Sequence, residues 1–238
     1  MSDGMGREPA YLSSHATNRY FIPNWGKMNI DKKANHAEFE ALLRSVNRDG
    51  MDYVIEDLEK DGFFDAPASA GHHLNVPGGL CEHSLNVCRA ALKVWEAMCQ
   101  LDENLGKEVK KENVIVASLL HDVCKTNIYK PTTKRKKNAL GVWEDVPGWN
   151  VVYNKLPLGH GEKSVIMLLL SGLDLTDEEM MAIRWHMGAF GLNFNSYEDE
   201  RSYDSAKTLS PLVTIVQAGD NLAAGIMERT EEDIANLG

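Results

Sequence analysis

Apolar residues recur at spacings of three and four along much of the chain, which is the period of an amphipathic helix. This pattern predicts helices over residues 34–45 and 52–60, and a longer helix over about 80–101. A loop rich in glycine and proline, residues 63–79, precedes the long helix. The first half of the chain is therefore predicted to be helical.

The second half contains a further set of helical patterns. Residues 113–122 are nearly all apolar until their last two positions, which fits a buried strand or a buried helix; Ala, Ser and a Leu pair favour the helix. Residues 160–171 are also predicted to be helical, and 176–187 open with Thr-Asp-Glu-Glu, a capping-box pattern. A last helix is predicted over 211–228, with Pro in its first turn, after a loop over 188–210.

Two stretches lack a helical period. Residues 125–159 are rich in Lys, Thr, Asn, Pro and Gly, and Trp143 with the Val-Val-Tyr run at 151–153 predicts a short hairpin there. Residues 1–33 are predicted to be an N-terminal arm. The predicted fold class is all-α: one helical bundle domain over residues 34–238, with an irregular insertion around 125–159.

Composition and charge narrow the class of protein. An apolar share of 43% and a charged share of 25% are typical of a soluble globular domain. No apolar run is long enough to span a bilayer, and the N-terminus lacks the apolar stretch of a secretory signal, so we expect a cytoplasmic protein. The cysteines show no Cys-x-x-Cys spacing and are predicted to be reduced thiols. They are Cys81, Cys88, Cys99 and Cys124.

The net charge of −10 gives no general attraction to nucleic acid or to anionic membranes. Residues 130–137, Lys-Pro-Thr-Thr-Lys-Arg-Lys-Lys, run against that balance. Two interpretations of this segment stay open: a patch that attracts an anionic substrate, or a solvated loop.

Several ionisable side chains lie where the pattern predicts burial. Asp220 lies within Leu-Val-Thr-Ile-Val-Gln-Ala-Gly-Asp-Asn-Leu-Ala-Ala, and His121 and Asp122 end the apolar run at 113–120. A buried carboxylate costs several kcal/mol unless a cation or good hydrogen-bond donors meet it. At the C-terminal end of a helix the dipole adds to the cost for Asp122. A metal ion would compensate both carboxylates.

Three more histidines lie at predicted helix ends: His83 in the first turns of its helix, His160 opening one and His186 closing one. A lone histidine is more often a structural residue than a ligand, but the series H…HD…H…H…D is a stronger signal than any member of it. Imidazole and carboxylate ligands together suit Mn²⁺, Fe²⁺, Co²⁺, Ni²⁺ or Zn²⁺. The absent cysteine spacing excludes an all-cysteine structural zinc site.

The segments Ser-Leu-Leu-His-Asp-Val-Cys-Lys, Leu-Gly-His-Gly-Glu-Lys-Ser and Ala-Gly-Asp-Asn-Leu-Ala-Ala resemble the HD superfamily of metal-dependent phosphohydrolases. The resemblance covers about residues 63–224 and is closest to the HD domain of YhaM-type 3′-to-5′ exoribonucleases. Cys124 stands where this family commonly has glycine, and Trp185 where it often has the first of two paired histidines.

The resemblance implies a centre of two divalent transition metal ions, bridged by Asp122, that activates a hydroxide for phosphodiester hydrolysis. One ion would take His83, His121 and Asp220, and the other His160 and His186. The substrate would be a phosphate-ester small molecule, such as a nucleotide, or a short oligonucleotide. No membrane partner is expected, and the oligomeric state is left open.

Three further residues are candidates for catalysis beside Asp122. Lys125 lies one helical turn beyond Asp122 and could meet a phosphate oxygen, or it could be a solvated lysine at a helix end. His72 and His73 could contact the substrate or protonate the leaving group, or they could be plain loop residues.

Three alternative functions accompany phosphodiester hydrolysis. They are a nucleotidase that cleaves phosphomonoesters, a non-catalytic HD module that binds metal or nucleotide for regulation, and a metal oxygenase on an HD-like scaffold.

Overall fold

A computed structural model describes residues 30–229, except 139, 154, 155 and 194. The predicted N-terminal arm lies almost entirely outside these residues. The described chain is mostly helical, which confirms the predicted all-α class. The helices are α1 Lys32–Arg44, α2 Met51–Asp61, α3 Gly79–Leu101, α4 Leu105–Glu108, α5 Lys111–Leu120, α6 His160–Leu170, α7 Asp177–Trp185, α8 Tyr197–Leu209 and α9 Pro211–Leu222.

The long helix α3 lies at the centre of the bundle and packs against α5 and α9, while α7 packs against α5, α6 and α9. Leu85 of α3, Leu119 of α5 and Val213 of α9 are completely buried in the shared core. Burial of apolar side chains of this size contributes about 1.5–3 kcal/mol each. Within the described residues no helix is both long and apolar enough to cross a membrane.

Local sequence signals explain where several helices begin. The predicted capping box is present at α7, where the Thr176 hydroxyl accepts from the Glu179 backbone N–H and the Glu179 carboxylate accepts from Thr176 N–H.

The apolar run predicted as a buried helix is α5. Its residues from Val114 to Leu120 are all buried, which is why no polar face marked its period.

The insertion forms an antiparallel hairpin of β1 Tyr129–Lys137 and β2 Trp143–Val151, paired from Tyr129↔Val151 to Lys137↔Trp143. This hairpin is longer than predicted, because the basic segment is itself a strand. The Lys134 ammonium donates to the carbonyl of Ala70 at 3.1 Å, and the Trp149 indole donates to the carbonyl of Asn75 at 2.7 Å. The hairpin is thereby attached to the loop that precedes α3.

The prediction of a loop over residues 188–210 was wrong, because α8 occupies Tyr197–Leu209. Ser196 caps this helix by accepting from the Asp199 N–H, and acidic residues fill its first turn, where the helix dipole favours them. Only Ala206 of the helix is buried, so no apolar stripe revealed it.

The last helix is shorter than the predicted 211–228. After α9 the chain continues through wider turns of π-helix, Ala223–Met227, to the buried Glu228.

Candidate metal centre

The side chains predicted to bind metal all lie at or near helix ends, and the fold brings them together. His83 lies in the second turn of α3, His121 and Asp122 directly follow α5, His160 opens α6, His186 follows α7, and Asp220 lies near the end of α9.

Two glycines let these helices approach closely. A Cβ built on Gly219, beside Asp220, would lie 2.8 Å from the Cβ of Ala91 and 2.9 Å from the carbonyl oxygen of Val87. A Cβ built on Gly161, next to His160, would overlap the backbone carbonyl of the α7 residue Arg184. The neighbours of two candidate ligands are thus glycines because neither contact leaves room for a side chain.

The Asp122 carboxylate occupies the middle of the cluster. Its Oδ1 lies 2.5 Å from Nε2 of His160 and 3.5 Å from Nε2 of His186. Its Oδ2 lies 3.6 Å from Nε2 of His83 and 3.4 Å from Nε2 of His121. Each oxygen of this carboxylate therefore faces a different pair of imidazoles.

Asp220 completes one side of the cluster. Its Oδ1 lies 3.2 Å from Nε2 of His83, and its carboxylate also forms a group with His121 and His186 in which ligand atoms lie within 4.8 Å of one another. Asp220 was predicted to be buried, yet its side chain is 21% exposed, and that of His160 is 30% exposed. The cluster is therefore open to solvent at these two ligands.

The tautomers of two histidines follow from their hydrogen bonds. Nδ1 of His121 lies 2.8 Å from the carbonyl oxygen of Ser118, and Nδ1 of His186 lies 2.7 Å from that of Ile183. A carbonyl oxygen can only accept, so Nδ1 carries the proton and Nε2 presents a lone pair to the cluster. Nε2 of His186 is buried and has no hydrogen-bond partner, as expected of a nitrogen whose lone pair can bind a cation.

His83 has acceptors on both sides. Its Nδ1 lies 3.0 Å from both carboxylate oxygens of Glu228, and its Nε2 lies 3.3 Å from Nε2 of His121. Burial lowers the pKa of His83, but hydrogen bonds to Asp220 and Glu228 outweigh this effect and raise the pKa to about 10. A proton thus holds the position that a metal ion would take at Nε2.

The charge of the buried Asp122 is balanced by its neighbours. Burial raises the pKa of this carboxyl, but Lys125, with its ammonium 2.6 Å from Oδ2, and the histidines His121 and His160 hold the pKa well below its usual range. Burial lowers the pKa of His160, but its contact with the Asp122 carboxylate outweighs this effect and raises the pKa to about 10. The carboxylate is therefore ionised.

The donor set fits divalent transition metal ions. It combines imidazole nitrogens and carboxylate oxygens, the ligands that such ions take in hydrolytic sites. Among the described residues, four overlapping groups of side chains could hold an ion. Two of them share Asp122: one contains His83 and His121, and the other contains His160 and His186. The remaining two are His121 with His186 and Asp220, and His73 with His83 and Glu228.

The structure separates the two histidines predicted to assist catalysis. The ring centroid of His73 lies 5.0 Å from that of His83, and its buried Nε2 has no hydrogen-bond partner. His72 is exposed, and its backbone N–H donates to the Ser69 hydroxyl. Only His73 is therefore at the cluster.

Glu228 was missed by sequence reasoning. It follows a helix, precedes an arginine and has no spacing relation to the histidines, so the sequence carries no local signal of its burial. Cys124, whose sulfur lies 3.4 Å from Nδ1 of His160, was noted in the sequence but not assigned to the site.

A segment of 65 residues is 40% identical to dihydroneopterin 2′,3′-cyclic phosphate phosphodiesterase of Methanocaldococcus jannaschii. The alignment covers 27% of this chain and 25% of that protein. No protein-family model matches the chain, and no solved structure matches it.

Proposed function

We propose that the chain is an HD-type phosphohydrolase that uses two divalent metal ions to cleave a phosphodiester of a nucleotide or short oligonucleotide. The observation that carries this proposal is the Asp122 carboxylate, with one oxygen toward His160 and His186 and the other toward His83 and His121. The similarity to a phosphodiesterase that acts on a cyclic phosphate supports the same reaction class.

In this proposal His83, His121 and Asp220 would hold the first ion, His160 and His186 would hold the second, and Asp122 would contribute to both. The bound ions would supply Lewis acidity and lower the pKa of water. The Nδ1 hydrogen bonds of His121 and His186 turn the lone pairs at their Nε2 atoms toward the cluster.

Lys125 would serve two states of the site. In the absence of ions its ammonium balances the charge of Asp122 at 2.6 Å. When cations share that carboxylate, the ammonium is no longer needed there and can approach a phosphate oxygen of the substrate. His73, whose buried Nε2 has no hydrogen-bond partner, is a candidate to contact the substrate, whereas burial lowers its pKa and so disfavours it as the donor of a proton to the leaving oxygen.

A recess beside His160 suits the part of the substrate that is not phosphate. Its volume is about 160 Å³, and its walls combine aliphatic side chains with polar ones. It is lined by Cys124, Ile128, Tyr153, Leu156, Leu158, His160 and Lys163. A base or sugar in this recess would place its phosphate close to the second set of ligands, which favours a nucleotide over inorganic polyphosphate.

The proposal is tested with metal-free protein reloaded with Mn²⁺, Fe²⁺, Co²⁺, Ni²⁺ or Zn²⁺ and assayed on bis(p-nitrophenyl) phosphate, cyclic nucleotides and short oligonucleotides. Asp122→Ala is expected to abolish turnover and still unfold cooperatively. Asp204→Ala, which removes an exposed carboxylate of α8, is the matched control and should keep full activity. Full activity of Asp122→Ala would end the proposal.

The same assay, with nucleoside monophosphates added to the substrates, separates the alternatives. Release of inorganic phosphate from nucleoside monophosphates, without diester cleavage, would identify a nucleotidase. Stoichiometric metal with no turnover of any phosphate ester would indicate a binding module.

A further inference from the structure

We infer that Glu228 is a positioning residue of the metal centre: it holds the proton of His83 on Nδ1, so that Nε2 is turned toward the ion and is a stronger ligand. This inference rests on the proposed metal centre, and it concerns a residue outside the six ligands proposed for it.

Contacts place Glu228 behind His83. The Glu228 side chain is fully buried, and both of its oxygens lie 3.0 Å from Nδ1 of His83. The Asn86 amide donates to Oε1 at 3.2 Å, and Nε2 of His73 lies 3.8 Å from Oε2. A carboxylate buried this deeply is costly, and these neighbours are the groups that hold it.

The Glu228 carboxylate and a metal ion would contact opposite nitrogens of the His83 ring. Asp220, at 3.2 Å from Nε2, and Glu228, at 3.0 Å from Nδ1, are carried by one segment of chain that runs through α9 and the following π-helical turns. This segment therefore fixes both the rotation of the His83 ring and its tautomer.

Glu228 differs from the groups behind the other histidines. His121 and His186 each have a neutral backbone carbonyl at Nδ1. A carboxylate at that position withdraws the Nδ1 proton more strongly and makes Nε2 a better electron donor. We therefore expect the ion bound by His83 to depend on Glu228, and the ion bound by His160 to be independent of it.

The experiment is a calorimetric titration of metal-free protein with Mn²⁺ and with Co²⁺, performed without substrate on the wild type, Glu228→Ala and Glu228→Gln. Loss of such a partner typically lowers metal affinity about 10–100-fold. In Glu228→Ala we expect this loss of affinity for one of the two ions, and no change for the other. A smaller loss is expected in Glu228→Gln, whose amide oxygen still accepts from Nδ1. The visible spectrum of bound Co²⁺ should change in both variants.

Glu179→Gln is the matched control. Glu179 is also fully buried, but it caps α7 and pairs with Arg48, away from the cluster. It should lower the melting temperature and leave both metal affinities unchanged. Wild-type affinities and cobalt spectra in both Glu228 variants, even with a lowered melting temperature, would overturn the inference.

The outcomes for the two proposals can be told apart. If the wild type binds two ions and cleaves no phosphate ester, the proposed function fails while the role of Glu228 is still decided by the titration. If the wild type cleaves a diester and the Glu228 variants bind metal normally, only the role of Glu228 fails.

Discussion

Nε2 of His160 lies 2.5 Å from Oδ1 of Asp122, although 38 residues separate them in the sequence. The start of α6 and the end of α5 meet at this contact, and the other oxygen of Asp122 is left to face His83 and His121. The carboxylate thus joins two sets of candidate ligands that belong to different helices.

If the centre holds two ions, loss of a histidine from one set of candidate ligands should remove one of them. His160→Ala and His83→Ala are each expected to reduce bound metal from two ions per chain to one, because each variant leaves the opposite oxygen of Asp122 with its histidines. Elemental analysis after dialysis against trace metal measures the stoichiometry. Two ions retained in both variants would contradict the assignment of ligands.

Metal binding should release protons. The pKa of His83 and that of His160 are both about 10 without ions, so both imidazoles are protonated at pH 7.5. An incoming ion must displace these protons, and its apparent affinity should therefore rise as the pH is raised toward 10. Calorimetry in buffers of different ionisation enthalpy counts the protons. A binding enthalpy that is the same in every buffer would show that none is released.

Gly219→Ala should destabilise the fold by about 1–3 kcal/mol, the usual cost of overpacking a tight core contact. The added methyl would press on Ala91 and on the Val87 carbonyl, and would move Asp220 away from His83. Urea denaturation measures the loss, and metal analysis should show a weaker site.

Gly225→Ala is the control for that substitution. A Cβ at Gly225 meets nothing within 4 Å, so its effect on the free energy of unfolding should stay within about 0.5 kcal/mol. Equal losses in the two variants would show that the contact between α3 and α9 is not the cause.

The basic hairpin gives a test of the two interpretations of residues 130–137. Arg135 and Lys137 both lie over the Trp143 ring, at 5.7 and 5.4 Å, and both are exposed. If the hairpin attracts an anionic substrate, replacing either residue by Ala should raise KM about fivefold at low salt, roughly 1 kcal/mol, with kcat unchanged.

Glu144→Gln removes a negative charge from the facing strand and should lower KM in the same assay. If KM stays the same in all three variants, the segment is a solvated strand without a role in substrate capture.

The sequence alone determined most of the helices, and it identified the histidines and carboxylates that the fold brings together. The spacing of apolar residues indicates which positions are buried. Asp122, His121 and Asp220 stood out because a charged group in a buried position needs a compensating partner. The spacing of apolar residues cannot reveal a helix that has almost no buried face, which is why α8 was not predicted.

Only the tertiary structure decided which atoms meet. The orientation of the Asp122 oxygens depends on how α5, α6 and α3 pack, and no local pattern encodes that packing. Glu228 contacts His83 across 145 residues, and its burial results from that contact rather than from its neighbours in the sequence. Local propensity selects elements, whereas contacts between distant elements determine the geometry on which the proposed metal binding depends.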